Sequence, residues 1–259
     1  KEVREMVKQQ FTQYENKKIR IPVKGDRFVF GVVSDTHLGS KYVQLSFLKW
    51  TYQYFKKMGA KFVLHAGDIV DGGRVYRAQE YETYAHGFSQ QLDDVVRNYP
   101  NDLPTYFCSG NHDLSFYESG GGDIGKEVAA RRSDMNYLGQ LGAFVYFGHL
   151  KVYLVHCLGS PPYAISYRGQ KLVEAMSTEN KPNMMIVGHH HQAYQFFIRN
   201  VHVLGGGSFQ GQTPFLRRMA IFPVIGGYLC EVLQDRKGIA RFRFEFLPCY
   251  KPKANDYEE

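Results

Sequence analysis

Hydrophobic residues fall along this chain in short apolar runs, and between the runs they recur every three or four positions. The runs have the length of buried strands, and the three-to-four spacing predicts amphipathic helices. Predicted strands cover residues 28–33, 61–66, 105–108, 143–147, 151–155, 184–187 and 201–204, with a closing hairpin over 226–246. Predicted helices cover residues 1–20, 45–58, 76–98, 124–141 and 169–177. Strands that alternate with helices predict an α/β protein.

The pattern shows no internal repeat and no clear linker, so it predicts a single main domain. We expect residues 1–24 to form an N-terminal helix and lead-in, residues 25–250 the domain, and residues 251–259 a flexible tail. Ile21-Pro22 ends the N-terminal helix, because the residue before a proline is disfavoured in helical conformation.

Composition narrows the class of protein. The chain has 259 residues, of which 44% are hydrophobic, enough for a sizeable core. No apolar run approaches the ~20 residues of a membrane span, and the charged N-terminus is unlike a signal peptide. The four cysteines form no CxxC pair, which predicts reduced core residues and a cytoplasmic protein. The net charge of +7 only slightly favours polyanionic partners. The first residue is not Met, which leaves an upstream domain or a partner subunit open.

Five of the predicted strands end at an Asp, Asn or His residue close to a small residue. Because sites in α/β sheets form at the carboxyl ends of strands, these side chains are expected to converge. Carboxylates, an amide and imidazoles suit divalent ions such as Mn, Fe, Zn or Ni. Seven ligands are too many for one open site and about right for two ions. The predicted ligands are Asp35, His37, Asp68, Asn111, His156, His189 and His191.

Other histidines compete with this set. His149 lies six residues before His156, but it falls in a predicted turn, whereas His156 ends a strand, so His156 is preferred. His65 and His202 lie within strands and are interpreted as core histidines. Asp113 is interpreted either as a residue that orients a ligand or as a simple turn former.

The motifs DTH, GDIVD, GNHD and GHHH, with a strand-terminal histidine before the last, occur in that order from Asp35 to His191. This series resembles the calcineurin-like metallophosphoesterase superfamily, whose pattern is DxH, GDxxD, GNH(D/E), H and GHxH. The resemblance implies a four-layer α/β/β/α sandwich with two mixed β-sheets. It also implies a binuclear metal-dependent phosphoesterase that uses a metal-bridging hydroxide as nucleophile.

The resemblance also implies a role for each residue of the motifs. One metal is expected on Asp35, His37 and His191, and the other on Asn111, His156 and His189, with Asp68 bridging the two. His112 is expected to protonate the leaving oxygen, and Asp71 to hold and charge the His112 imidazole. Two divalent ions are expected, Mn²⁺ first, with Fe, Zn, Ni and Mg left open.

Substrate clues favour a nuclease. The motifs SDTHLG, GDIVD and GNHD are similar to those of the double-strand-break repair nuclease branch. Basic and aromatic residues flank them, which suits a DNA strand more than RNA. Expected substrate contacts are Arg74, Arg77, His190 and Arg217, with Tyr76, Arg131, Arg132 and Arg218 nearby in sequence. Residues 205–218 are predicted to wall the site. A phosphatase or cyclic-nucleotide phosphodiesterase, a catalytically idle binding module, and a homodimer stay open.

Overall fold

The computed structural model describes residues 19–160, 162–178 and 180–258. The predicted N-terminal helix lies outside these residues except at its end, where Ile19–Arg20 form a strand. The strands are β1 (Ile19–Arg20), β2 (Arg27–Val33), β3 (Val63–His65), β4 (Thr105–Ser109), β5 (Met135–Gln140), β6 (Gly142–Phe147), β7 (Leu150–His156), β8 (Met184–Gly188), β9 (Ala193–Ile198), β10 (Val201–Gly206), β11 (Gly226–Asp235) and β12 (Gly238–Pro248). The α-helices are α1 (Leu45–Lys57), α2 (Gly87–Asn98), α3 (Asn111–Glu118), α4 (Ile124–Arg131), α5 (Tyr167–Ala175) and α6 (Pro214–Arg218).

These strands form two six-stranded mixed sheets. Sheet 1 has the order β1-β6-β7-β8-β10-β9, and sheet 2 has the order β12-β11-β2-β3-β4-β5. In sheet 2 the strands β2, β3, β4 and β5 run parallel, so their carboxyl ends meet at one edge. In sheet 1 the strands β7, β8 and β10 run parallel, with His156 paired to Gly188 at the ends of β7 and β8.

The apolar side chains pack in three separate layers. The middle layer lies between the two sheets and includes Phe30 of β2, Leu154 of β7 and Ile186 of β8. The outer face of sheet 2 packs on helices that include α1 and α2. The outer face of sheet 1 packs on α5 through Leu172 and Val173. Alternate strand residues therefore point into different layers, as strand geometry requires, and the predicted four-layer α/β/β/α arrangement is confirmed.

Two predicted helices are wrong in their extent. The helix predicted over 124–141 ends at Arg131, and the chain continues as β5, which pairs parallel with β4. The helix predicted over 76–98 begins only at Gly87, because Ala78 and Gly87 both adopt positive φ and a short 3₁₀ turn, Gln79–Tyr81, intervenes. In both stretches the tertiary pairing overrides a helical sequence pattern.

Three further elements were not predicted, of which the short helix α6 lies within the predicted site wall. Strand β9 pairs with β10 through a two-residue turn at Arg199 and Asn200, both at positive φ. Helix α3 begins inside the GNHD motif, at Asn111. Its helical spacing is hidden because few of its side chains are buried apolar residues.

The segment after β12 was expected to be a flexible tail, but its described residues contact α1. The Asp256 carboxylate is buried and accepts a hydrogen bond from the Ser46 backbone N–H at 2.7 Å. Gln44 exchanges two hydrogen bonds with the backbone of Lys253, and the Tyr257 ring stacks on Tyr84 at 4.3 Å. Residues 251–258 therefore pack on the main body of the molecule.

Cys108, Cys157 and Cys230 are buried, as predicted for core residues, whereas Cys249 is only half-buried; none of the four forms a disulfide. In the part of the chain that the structure describes, no helix combines the length and the apolar character needed to cross a bilayer.

Candidate metal centre

The strand ends of the two sheets bring acidic and imidazole side chains together in three groups, two of which share His37. In each group one ligand atom per residue lies within 4.8 Å of the others. The first group is Asp35, His37 and His191, the second is Asp68, His156 and His189, and the third is His37, Asp71 and His112. The seven ligands predicted from the sequence thus converge where sheet 2 supplies its β2, β3 and β4 ends and sheet 1 its β7 and β8 ends.

The backbone at these ligands is strained. Five of the seven adopt positive φ, from 49° at His37 to 87° at His189. The five are Asp35, His37, Asp68, His189 and His191. Positive φ is uncommon for residues with a side chain and persists only where the surrounding structure enforces it. The hydrogen bonds of neighbouring loops, described below, provide that enforcement.

The glycines of the motifs are required because the site is tightly packed. A Cβ on Gly110 would lie 2.1 Å from Asp68 Oδ1 and 2.6 Å from His156 Cε1. A Cβ on Gly188 would lie 2.3 Å from the Ala66 carbonyl oxygen. Backbone, carboxylate and imidazole can approach one another at these points only because no side chain intervenes.

In the first group the lone pairs on Nε2 of His37 and Nε2 of His191 point towards each other. His37 Nδ1 donates to Asp71 Oδ1 at 3.2 Å, so its Nε2 carries no hydrogen. His191 Nδ1 lies 3.4 Å from Ser208 Oγ, whose own hydrogen is donated to the Asp35 carbonyl at 3.0 Å. The two Nε2 atoms are 3.1 Å apart. Burial lowers the pKa of both imidazoles well below the usual value.

Two neutral nitrogens with facing lone pairs repel each other unless a cation lies between them. The Asp35 carboxylate completes the group, with Oδ1 3.5 Å from His191 Nε2. It is itself held by the His189 backbone N–H at 3.0 Å and by the Ser34 hydroxyl. This donor set fits a divalent cation of borderline hardness.

In the second group the His156 imidazole is oriented by a carbonyl. His156 Nδ1 donates to the Ala66 carbonyl at 2.9 Å, and its Nε2 lies 3.0 Å from Asn111 Oδ1 and 3.1 Å from Asp68 Oδ2. His189 Nε2 donates to the Gly159 carbonyl at 3.1 Å, which leaves its Nδ1 as the ligand atom. The alternative His149 is exposed in the turn between β6 and β7, away from this group.

Asp68 and His156 form a strongly coupled pair. Burial alone would raise the pKa of Asp68, but His156 and then His112 hold it well below its usual value. Burial alone would lower the pKa of His156, but Asp68 raises it to about 9. An anionic Asp68 lies between both groups, since its Oδ2 is also 3.8 Å from His37 Nε2. This is the position that a bridging ligand requires.

Asp113 organises the loop that carries Asp68. Its buried carboxylate accepts hydrogen bonds from four backbone N–H groups, at distances from 2.8 to 3.3 Å. The donors are Asp68, Ile69, Val70 and Gly110. Asp113 therefore fixes the backbone on both sides of the GDIVD and GNHD motifs, which is the orienting role and not that of a simple turn former.

The link between Asp71 and His112 differs from the expected one. His112 Nδ1 donates to the backbone carbonyl of Asp71 at 2.5 Å, not to its carboxylate. The Asp71 carboxylate instead bonds His37 Nδ1 and accepts from Gln210 and Gln79 at 2.9 and 3.1 Å. Burial raises the pKa of Asp71 to about 6, although His112 lowers it. The Asp71 side chain thus orients a metal ligand, and its main chain orients His112.

A cavity of about 260 Å³ opens beside Asp68, Asn111 and His112. Another wall of the cavity is apolar. The sequence predicted a wall over residues 205–218, which includes Phe215 and Leu216. It did not predict that Val75, Met219 and Ile221 also line the cavity. The apolar lining consists of Val75, Tyr76, Phe215, Leu216, Met219 and Ile221. These residues come from a loop and a short helix far apart in sequence, so no local pattern identifies them together.

The predicted substrate contacts are dispersed. His190 lines the cavity. Arg74 lines a separate cleft, and Arg77 and Arg217 are exposed outside the cavity lining. Arg132 binds the carbonyls of Tyr99 and Pro100 at the end of α2, at 2.8 and 3.0 Å, and the Asp134 carboxylate. Arg131 pairs with Asp93 at 3.2 Å. Arg132 therefore holds the end of α2, Arg131 makes an exposed ion pair, and both line a cleft separate from the cavity.

Comparison with known proteins gives one curated relative and a set of structural neighbours. The chain is 24% identical over 254 residues to the DNA polymerase II small subunit of Methanothermobacter thermautotrophicus, covering 80% of this chain and 52% of that protein. The chain thus spans about half the length of this relative. An archaeal phosphodiesterase is similar at 14% identity and a TM-score of 0.49, over 85% of this chain and 100% of that chain. Vps29 of Entamoeba histolytica with zinc is similar at 14% identity and a TM-score of 0.44, over 85% of this chain and 99% of that chain.

The family model of the calcineurin-like phosphoesterase superfamily domain matches residues 28–224. This range contains all five motifs and every predicted metal ligand. The chain therefore belongs to the calcineurin-like phosphoesterase superfamily of metal-dependent phosphoester hydrolases.

Proposed function

We propose that this chain is a binuclear phosphodiesterase that cleaves DNA and uses Mn²⁺. The observation that carries the proposal is the facing pair of His37 Nε2 and His191 Nε2, 3.1 Å apart, next to a second ligand group whose Asp68 Oδ2 lies 3.8 Å from His37 Nε2. Such an arrangement fits two cations and is unfavourable without them.

The residues of the chain divide the work. Two divalent cations would polarise the phosphoryl oxygens and supply hydroxide near neutral pH. Asp68 keeps its orientation because its Oδ1 accepts from the His112 backbone N–H at 2.8 Å. The Asp71 carbonyl cannot take the proton of His112 Nδ1, so that nitrogen stays protonated and Nε2 is the atom that can donate a proton to the leaving oxygen. The substrate phosphate is expected between Asn111, His112 and His189, which line the same cavity.

Two observations support DNA as the substrate. The curated relative is a small subunit of a DNA polymerase, which also supports a partner subunit for this chain. The net charge is +7, and three exposed arginines, Arg77, Arg217 and Arg218, are adjacent in sequence to residues of the cavity lining. They suit contacts with phosphates flanking the scissile one. We propose a cytoplasmic location on the basis of the unpaired cysteines.

A second function is favoured by the cavity itself. None of its described lining residues is Lys or Arg, which suits small nucleotide diesters as well as a polymer. A catalytically idle module is disfavoured, because all seven predicted ligands are present and five of them are held at positive φ. Such backbone strain is typical of functional sites.

A substrate panel tests the proposal. Single-stranded and duplex DNA, RNA, a cyclic nucleotide, a phosphomonoester and bis-(p-nitrophenyl) phosphate would be assayed with Mn²⁺, Mg²⁺ and Zn²⁺. We expect Mn²⁺-dependent cleavage of DNA. Cleavage of bis-(p-nitrophenyl) phosphate without DNA cleavage would favour the small-molecule function. No hydrolysis of any substrate by metal-loaded protein would contradict both.

A further inference from the structure

The cavity beside His112 has an aromatic floor whose purpose the hydrolysis of phosphate does not explain. The rings of Tyr76 and Phe215 stack with their centroids 4.1 Å apart and their planes at 17°. The centroid of Tyr76 lies 6.4 Å from that of His112. An aromatic surface thus begins next to the residue expected to protonate the leaving group.

This aromatic pair is held in place by one buried carboxylate. Tyr76 Oη donates to Glu82 Oε2 at 2.9 Å, and the Phe215 backbone N–H donates to Glu82 Oε1 at 3.2 Å. Glu82 is only 8% exposed. Thr213 caps the start of α6 by accepting from the Leu216 N–H at 3.2 Å. The floor is therefore preformed, which lowers the entropy cost of binding a rigid group there.

The same element is connected to the metal ligands. Gln79 follows Tyr76 by one turn of chain and donates to both the carbonyl and the carboxylate of Asp71, at 2.6 and 3.1 Å. Asp71 in turn orients His37 and His112. A group seated on the aromatic floor is thus held at a fixed distance from the reacting phosphate.

His190 is a further residue of the cavity lining. It is 7% exposed and donates through Nε2 to the Gly159 carbonyl at 3.3 Å, which fixes the ring. Its Nδ1 is enclosed by the protein and has no hydrogen-bond partner among the described residues. The imidazole therefore contributes a fixed ring to the lining.

The lining of the cavity offers little to bind a further phosphate. It includes no Lys or Arg among the described residues, and the Arg218 guanidinium lies over the Phe215 ring, 5.7 Å from its centroid. The volume of about 260 Å³ lies at the small end for a ligand pocket and is too small for a duplex. A flat aromatic ring fits this combination of size and stacking surface.

We infer that the cavity between Tyr76, Phe215 and His190 binds the nucleobase of the nucleoside that leaves during hydrolysis. This rests on the proposed phosphodiesterase function and names the part of the substrate that the enzyme selects. The position beside His112 assigns the cavity to the leaving side, and stacking on the Tyr76–Phe215 pair makes recognition tolerant of base identity.

Dinucleotides with one base removed test this inference. TpT would be compared with two counterparts that carry a baseless 1,2-dideoxyribose in the 3′ or the 5′ residue, and the products would identify the leaving side. We expect loss of the leaving base to lower kcat/KM about tenfold, within the range that base–aromatic stacking supplies. Loss of the other base is expected to have a much smaller effect. Equal kcat/KM for all three dinucleotides would overturn the subsite and leave the phosphodiesterase function intact.

Calorimetry gives a second readout that does not need turnover. The ligand is the thymidine monophosphate whose phosphate is on the leaving oxygen, the 5′- or the 3′-isomer as the dinucleotide products decide. It should bind the Mn²⁺-loaded protein about tenfold more tightly than the matching 1,2-dideoxyribose phosphate, and Phe215→Leu should remove most of that difference. Phe222→Leu is the matched control, since Phe222 lies 70% exposed in the following loop and outside the cavity lining. Equal Kd values for the two ligands would contradict the subsite. A Phe215-dependent difference without cleavage of any diester would support the subsite and refute the proposed hydrolysis.

Discussion

The two walls of the cavity are built in different ways. The polar wall consists of strand ends from both sheets, and each of its side chains is oriented by a hydrogen bond to backbone or to another buried group. The apolar wall consists of the loop around Tyr76 and the short helix α6, which are joined mainly through Glu82. The difference indicates that the sheet edges fix the chemistry, whereas loops supply the selection of the substrate.

The largest effect on metal binding is expected from adding a side chain at Gly110, which lies against Asp68 and His156. Gly110→Ala would place a Cβ 2.1 Å from Asp68 Oδ1, so Asp68 or His156 must move and the second ligand group is broken. Metal content and hydrolysis should both fall to background, as measured by elemental analysis and by a diester assay. Gly211→Ala is the control, because its nearest neighbour would be the Tyr42 carbonyl oxygen at 3.4 Å. Normal metal content in Gly110→Ala would contradict the described packing.

The next effect concerns the proton donor. His112→Ala should lower kcat by about 10²–10⁴-fold, the usual contribution of general acid catalysis, while two metals stay bound. His149→Ala, a change at the exposed histidine of the β6–β7 turn, should leave kcat unchanged. If His112→Ala lost metal, the residue would be a ligand, and its assignment to proton transfer would be wrong.

A smaller effect, on stability, is expected from removing Asp113, whose carboxylate holds the loop that carries Asp68. Asp113→Ala removes the acceptor of four buried N–H groups and should lower the free energy of unfolding by about 3 kcal/mol. Chemical denaturation of the metal-free protein measures this directly. Asp93→Ala, at an exposed pair with Arg131, should change stability by less than about 0.5 kcal/mol. Similar values for the two variants would show that Asp113 does not support the polar wall.

The smallest effect is expected at Tyr76, where the hydrogen bond of the hydroxyl can be removed without removing the stacking ring. Tyr76→Phe keeps the ring on Phe215 but removes the hydrogen bond to Glu82. The free energy of unfolding should fall by about 1 kcal/mol, with nucleotide affinity almost unchanged. Tyr81→Phe, at a ring that is 75% exposed, serves as the control. A large loss of nucleotide affinity in Tyr76→Phe would mean that its hydroxyl contacts the ligand.

The polar wall could be predicted from the sequence because its information is local. Each ligand follows an apolar run, as Asp35 follows β2 and His156 ends β7. Because the strands run parallel, their carboxyl ends then bring the ligands together. The alternation of runs likewise predicted the α/β class. Only the orientation within the site was missed, because whether Asp71 reaches His112 by side chain or by main chain depends on the path of the loop.

The remaining features depend on contacts between distant residues. Tyr76 and Phe215 meet although 139 positions separate them. Tyr76 lies in a stretch wrongly predicted as helical, and nothing local to either residue indicates the contact. Residues 135–140 lie in a stretch with helical spacing but form β5 because β4 offers a free parallel edge. Arg132 was expected near a substrate, and only the tertiary structure places it against the carbonyls at the end of α2.

The central claim is a pair of cations bridged by Asp68, and the most direct test is the amount of metal bound per chain. After equilibration with Mn²⁺ and removal of free ions, elemental analysis should find about two Mn²⁺ per wild-type chain, the number that the ligand groups accommodate. The Asp68→Asn variant should retain far less, because an amide carries no charge to hold both ions. One ion or none in the wild type, or full occupancy in Asp68→Asn, would contradict the account.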